Sequence, residues 1–274
     1  YYEKHGDLFG VGKTLNNIGT TEITAGDLGA AARYLERSLD IAEKAGNRFG
    51  QAVACCNLGY LNITLGNPDE ARGYFERYLK INEAIGNRLG DGYAYGGLAK
   101  LAWESGDLDA AVRYYRQAVA VYGEVGAASL RAETWLELGV CYARAGEREN
   151  AAVAFAASET PESDASRIKA ELAAAVFIPA AEALYRDDDL GQRAAAAAGE
   201  MDAEGRMEMY AWLGRYYGNK GDEQNSAFFS HQALRLSESL GASIPQATQR
   251  ERYFNRLKRL GILISSKGLS LIHI

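Results

Sequence analysis

Apolar and small residues return at helical spacing along most of this 274-residue chain. Cys55, Leu58, Gly59 and Asn62 fall at i, i+3, i+4 and i+7, one stripe of a helix, and Ala71, Phe75, Tyr78 and Leu79 mark a second stripe at similar spacing. Between them, Gly66-Asn67-Pro68-Asp69 predicts the stop of one helix and the start of the next, with Pro68 where its missing N–H is harmless. Small residues at Gly59 and Ala71 let two helix backbones approach, and Phe75 is expected to fill the gap toward the neighbouring pair. The pattern predicts an αα-hairpin built to stack.

The chain also matches itself at an offset of 40 residues: Gly6-Asp7-Leu8-Phe9-Gly10 becomes Gly46-Asn47-Arg48-Phe49-Gly50 and then Gly86-Asn87-Arg88-Leu89-Gly90. The same offset links Ile18-Gly19, Leu58-Gly59, Leu98-Ala99 and Leu138-Gly139. It also links the turn glycines Gly26, Gly66, Gly106 and Gly146, and the alanines Ala31, Ala71, Ala111 and Ala151. Four helix pairs are thus expected over residues 7–160. Tyr1 to Gly6 aligns with Ile41 to Gly46, so residues 1–6 read as the end of a truncated preceding repeat and the chain as a piece of a longer protein.

Beyond Ala151 the pattern loosens. Ser158 to Ser166, with Pro161, is expected to break the helix, and Arg167 to Arg186 reads as an apolar helical segment containing Pro179. Asp187-Asp188-Asp189 before Leu190 predicts a turn and a helix start, since carboxylates favour a helix N-terminus. Residues 161–200 are read as a degenerate repeat. Leu213-Gly214, Tyr217, Gly221-Asp222 and Ala233 restore the pattern across 201–241, where Gly241 is expected to close its helix as Gly46 and Gly86 do. Residues 242–274 read as a capping helix and tail: Gln246 to Leu260 is amphipathic and basic, with Tyr253, Leu257 and Leu260 on one side.

The combination Leu-Gly, then Gly-Asp or Gly-Asn seven residues after the Gly, then Ala and an aromatic, resembles a tetratricopeptide repeat. That family's large residue four before the small one is filled by Leu15, Cys55, Tyr95 and Trp135; its Tyr three after the small residue is supplied only by Tyr142 among the first four repeats. The spacing of 40 exceeds the family's usual length of about 34. It resembles the long-repeat subset of kinesin light chains and many bacterial signalling proteins, and Leu15-Asn16-Asn17-Ile18-Gly19 is similar to the kinesin light chain version. The resemblance implies an all-α fold, a right-handed superhelical α-solenoid of stacked antiparallel helix pairs whose first helices line a concave groove for a partner peptide.

Composition fits that expectation. At 47% hydrophobic and 24% charged, the chain can bury a long continuous core while suiting a soluble protein, and a solenoid grows by stacking, so one elongated unit is expected. The net charge of −6 argues against general nucleic-acid binding. The basic stretch of Arg250, Arg252, Arg256, Lys258, Arg259 and Lys267 against Glu251 reads either as a solvated capping helix or as a contact to an acidic group or nucleic acid. Cys55, Cys56 and Cys141 show no CxxC spacing, and neither a secretory apolar segment nor a membrane-length apolar run occurs; a reduced, cytoplasmic protein is expected, its thiols serving packing.

Catalytic chemistry has little to stand on. His5, His231 and His273 make no HExxH or HxxxH metal spacing, and no GxSxG occurs, so no enzyme, metal or cofactor is expected here. Gly6 to Thr14, GDLFGVGKT, ends like a phosphate-binding loop. The required glycine five before Gly12 is Asp7, however, and no strand pattern precedes it.

Binding remains. Lys13, Asn16, Asn17, Thr20 and Thr24 form a polar stripe on the first helix of the first repeat. At the repeat offset it continues as Val53, Cys56, Asn57, Tyr60 and Thr64, then Tyr93, Gly96, Gly97, Lys100 and Glu104, then Glu133, Leu136, Glu137, Val140 and Arg144. Amides suit an extended chain because each offers a donor and an acceptor. The candidate site is therefore Lys13, Asn16, Asn17, Thr20, Asn57, Tyr60, Tyr93, Lys100 and Trp103. One reading is a scaffold or sensor module holding a protein or peptide partner within a larger bacterial signalling protein. The other is a structural spacer or self-association solenoid, with Asn17 and Asn57 bonding across adjacent helices.

Overall fold

A computed structural model of the chain describes residues 7–158, 164–177 and 189–259. These residues form thirteen α-helices and no strand: α1 (Leu8–Ala25), α2 (Leu28–Lys44), α3 (Arg48–Leu65), α4 (Pro68–Ile85), α5 (Arg88–Ser105), α6 (Leu108–Glu124), α7 (Ala128–Arg144), α8 (Arg148–Ser158), α9 (Asp164–Phe177), α10 (Leu190–Ala198), α11 (Ala203–Asn219), α12 (Glu223–Ala242) and α13 (Ala247–Arg259). The described residues up to Ala127, with Leu240–Tyr253, make one compact unit. Those from Ala128 to Ser239, with residues 254–259, make another.

In the first unit, α1 packs on α2, α3 on α4 and α5 on α6. Each second helix also packs on the next first helix, and α1–α3 and α3–α5 touch as neighbours. The expected stacking is what the chain forms. The joints explain its regularity. Gly26, Gly46, Gly66, Gly86, Gly106 and Gly126 all adopt left-handed φ between 64° and 86°, which lets the chain leave each helix without a steric cost. The residue after most of these glycines serves two helices at once. Asp27 N–H closes α1 on Glu22 O at 2.9 Å, while Asp27 Oδ1 accepts from Ala30 N–H at 2.8 Å and caps α2. Asn47 and Asp107 repeat the arrangement.

Close crossings follow the small residues. Phe75 of α4 is fully buried between Gly59 and Gly97, where an added β-carbon would lie 2.7 Å and 2.2 Å from its ring. The corresponding large residue in the first repeat is Leu35, packed on Gly19. In the second unit Gly139 meets Phe155 in the same way.

Two sequence expectations need correction. Gly241 does not close its helix: α12 continues to Ala242, and Gly241 is absent from the left-handed set that holds Gly46, Gly86 and Gly221. The chain turns instead through Ser243 and Ile244, whose N–H groups reach back to Leu240 and Gly241. Second, α9 begins at Asp164, inside the stretch expected to be a break. Pro161, residues 178–188 including Pro179, Leu260, the tail and residues 1–6 lie outside the described residues. Asp189 precedes α10 without a side-chain capping bond.

The amphipathic reading of α13 holds at Tyr253 and Leu257, both fully buried. Its arginines turn inward: Arg256, 2% exposed, donates from Nη2 to Glu204 Oε1 at 3.0 Å, and Arg250 donates to the carbonyl of Ile244. No helix among the described residues is long and apolar enough to cross a membrane.

Candidate functional site

The polar stripe of the first unit lies on α1, α3 and α5. Asn57 Nδ2 donates to Asn16 Oδ1 at 2.9 Å, joining α3 to α1 through half-buried amides. Tyr60 OH reaches from α3 to the carbonyl of Tyr93 on α5 at 2.9 Å, while its ring stands edge-on to Phe75 at 5.1 Å between centroids. Gly96 makes room for this hydroxyl, since a β-carbon there would come within 3.3 Å of it. Tyr93 in turn packs edge-on against Tyr122 of α6. Four candidate residues are thus brought together in two cross-helix links, at Asn16–Asn57 and Tyr60–Tyr93.

The others stand differently. Lys13 and Asn17 are exposed, whereas Lys100 and Trp103 are half-buried. Thr20 turns its hydroxyl back onto the carbonyl of Asn17 at 2.9 Å, so its donor is taken by its own helix. The cross-helix amide partner of Asn57 is Asn16 and not Asn17.

The phosphate-loop resemblance has no counterpart in the backbone. Gly10 N–H is bonded to Asp7 Oδ1 at 2.9 Å and Val11 N–H to Asp7 O at 3.1 Å, and Gly12 lies inside α1. Gly12 is buried, with its carbonyl accepting from Ser38 Oγ of α2 at 2.8 Å. No nest of open amides faces a ligand there.

The second unit carries a concavity of about 330 Å³, lined by Glu133, Leu136 and Glu137 of α7, by Lys169 of α9 and by Met201 and Asp202 ahead of α11. Glu133, Leu136 and Glu137 belong to the stripe read at the repeat offset. The sequence does not mark Lys169, which falls in the segment where the repeat pattern fades; a cation beside the apolar run of residues 172–177 is the available signal. Its Nζ sits 3.2 Å from Glu208 Oε2 and 5.2 Å from the centre of the Trp212 ring. Burial works against its charge, but the carboxylates of Glu208, Glu137 and Glu133 outweigh it and hold the ammonium above its ordinary range.

The cysteines are not poised for nucleophilic chemistry. Burial pushes the Cys55 thiol up to about 11 and the Cys56 thiol up to about 12, the latter although Tyr78 hydrogen-bonds to it. Cys141 is raised as well, by burial and by Glu137.

Family models described as tetratricopeptide repeat match residues 10–84, 54–124 and 97–167. No curated protein sequence matches the chain. Among solved structures, the fold resembles a Rap protein determined in complex with Competence and Sporulation Factor: TM-score 0.71 at 13% identity, over 85% of this chain and 65% of that one. The chain therefore spans about two thirds of that protein's length. It also resembles BtubC (BKLC) from P. vanneervenii, with a TM-score of 0.51 at 17% identity over 89% of this chain and 87% of the other. Matched repeats over residues 10–167, left-handed glycine joints and stacked helix pairs lead to one assignment: this chain belongs to the tetratricopeptide repeat family.

Proposed function

We propose that the chain is a protein-interaction module that takes an extended segment of a partner along the first helices of its repeats, on the face carrying Lys13, Asn16, Asn17, Asn57, Tyr60, Tyr93, Lys100 and Trp103. The observation behind this reading is that the first helices bury Leu15, Leu58 and Leu98 much as the second helices bury Leu35, Phe75 and Tyr115, yet also carry Asn16, Asn57, Tyr60, Tyr93 and Lys100 only partly buried. Asn16 Nδ2 and Asn57 Oδ1 each keep bonding capacity beyond their mutual bond. A cytoplasmic, non-catalytic role within a larger bacterial signalling protein suits this reading. The Rap protein's complex with Competence and Sporulation Factor supports it by likeness of fold alone.

The Asn57–Asn16 bond also favours a second reading, a structural spacer or self-association solenoid, since it spends part of each amide inside the fold. Selection of a displayed random-peptide library on the immobilised protein separates the two. Enriched peptides that lose about tenfold in affinity with Tyr93→Ala or Asn17→Ala, each removing interactions worth about 1–1.5 kcal/mol, support groove binding. Peptides indifferent to both substitutions, or no enrichment beside a concentration-dependent dimer, support the spacer.

A further inference from the structure

The first unit holds two departures from its own repeat, and both face one segment from the far end of the chain. Position 29 is glycine where the offset gives Asp69, Asp109 and Glu149. Gly29 has no left-handed φ, so its own backbone does not call for glycine, which is a poor helix former. A β-carbon there would lie 2.5 Å from the carbonyl oxygen of Ser243 and 2.6 Å from Pro245 Cδ. Asn67 is the second departure. It precedes α4 without capping it, unlike Asp27, Asn47 and Asp107. Its Oδ1 instead accepts from Arg252 Nη1 at 2.9 Å, its Nδ2 donates to Asn62 Oδ1 at 3.0 Å, and the residue is 3% exposed.

The backbone amides tell the same story. The first N–H of a helix has no partner within the helix. Leu108 and Arg148 settle theirs on the turn glycine two residues back, and Pro68 has none to settle. Leu28 N–H donates to Ser243 Oγ at 2.8 Å, while that hydroxyl donates to Leu240 O at 2.8 Å. The same segment lays Leu240 on Gly26 and the Arg252 carbonyl on Gly66, and it buries Ile244 completely.

We propose that Leu240–Tyr253 is a latch that closes over the α1–α2 and α3–α4 turns. Gly29 and Asn67 are its receptor, and closure fixes the spacing of the first two repeats. The latch bridges Gly26–Gly29 and Gly66–Asn67, one repeat apart. Closure therefore also sets the distance between α1 and α3, across which Asn57 bonds Asn16. Opening it exposes Ile244 and Leu240 and leaves Leu28 N–H to water.

Hydrogen–deuterium exchange of the full chain tests this. Gly29→Asp restores the residue type that the second and third repeats carry at this helix position, so the helix tolerates it while the latch does not. The variant is expected to speed exchange across residues 243–253 about tenfold or more and to raise exchange in α1 and α3, with helical content unchanged. Asp109→Gly, the reverse swap in a repeat without a latch, is expected to leave 243–253 as in the wild type. Ser243→Ala and Arg252→Ala, which alter the latch and not the repeats, give the same acceleration should Gly29→Asp not fold. A wild-type segment already exchanging at the unprotected rate, or one unaffected by Gly29→Asp, Ser243→Ala and Arg252→Ala alike, overturns the latch. An opened latch with α1 and α3 unchanged overturns its hold on repeat spacing.

Discussion

The ring of Phe75 occupies the space that a β-carbon on Gly97 would need, 2.2 Å from its Cζ. The contact joins two repeats, since Phe75 lies on α4 and Gly97 on α5, and the ring is closed in on its other side by Gly59. A bulky group pinned from both sides has nowhere to rotate, so glycine at position 97 follows from packing and not from backbone conformation.

Gly97→Ala is therefore expected to cost about 1–3 kcal/mol, as overpacking does at tight sites. Gly59→Leu should cost at least as much. Gly73→Ala, in α4 with nothing near its missing β-carbon, is expected to stabilise by roughly 0.4–1 kcal/mol. Urea unfolding of the three variants checks the contrast. Equal midpoints for Gly97→Ala and Gly73→Ala would remove Phe75 from its role as the wedge between repeats.

The Asn16–Asn57 bond yields a double-mutant cycle. Asn57→Ala is expected to lower stability by about 0.5–1.5 kcal/mol, the net worth of a hydrogen bond between part-buried amides, while exposed Asn17→Ala changes little. The coupling between Asn16→Ala and Asn57→Ala should approach the single-mutant cost. Strictly additive losses would mean that the two amides bond elsewhere in solution.

Lys169→Met is expected to destabilise the second unit by about 1–3 kcal/mol, because Glu208 keeps its charge without a partner; water reaching Glu208, 34% exposed, keeps the loss below that of a fully buried pair. Lys169→Met with Glu208→Gln should recover part of the loss. Thermal melts of the single and double variants provide the comparison, and a double variant less stable than the sum of its parts would contradict the pairing.

For the thiols the sign is fixed by direction. The folded chain holds Cys55 up to about 11 and Cys56 up to about 12, above the ordinary 9.0, so their contribution to stability is complete below pH 9 and is lost as pH rises toward 11–12. At pH 9 iodoacetamide should alkylate part-buried Cys56 roughly several hundred-fold more slowly than the same thiol in urea, because the thiolate is the nucleophile and burial leaves little of it formed. Mass spectrometry of timed samples measures this. Equal rates would place the Cys56 thiol in an ordinary aqueous setting.

Much of the architecture is legible in the sequence because its signals are local. Asp27, Asn47 and Asp107 each carry a capping oxygen three residues before the amide they bind, and the glycine ahead of each stands where φ must be positive. Gly59, Ala71 and Phe75 sit at helical spacing, so their crossing followed from periodicity. What escaped involves partners far apart in sequence. Gly29 is a departure whose cause lies at Ser243 and Pro245, and no period of 40 connects them. Gly241 has the right residue type but not the conformation, since the chain after it turns toward Leu28. On the candidate face, the repeat offset sets Asn17 opposite Asn57, whereas the bond runs from Asn57 to Asn16, because side-chain rotamers carry no signature in spacing.

Asp27, Asn47 and Asp107, each closing one helix with its amide and opening the next with its side chain, have a mechanical consequence. A joint that shares one residue between two rods contains no slack to draw out. Tension applied across these three joints has to be taken up by small rotations of the packed crossings beside them, because none of the three can act as a hinge. Over small extensions such a stack behaves as a spring, and it yields one rod at a time only when a crossing such as that of Phe75 gives way.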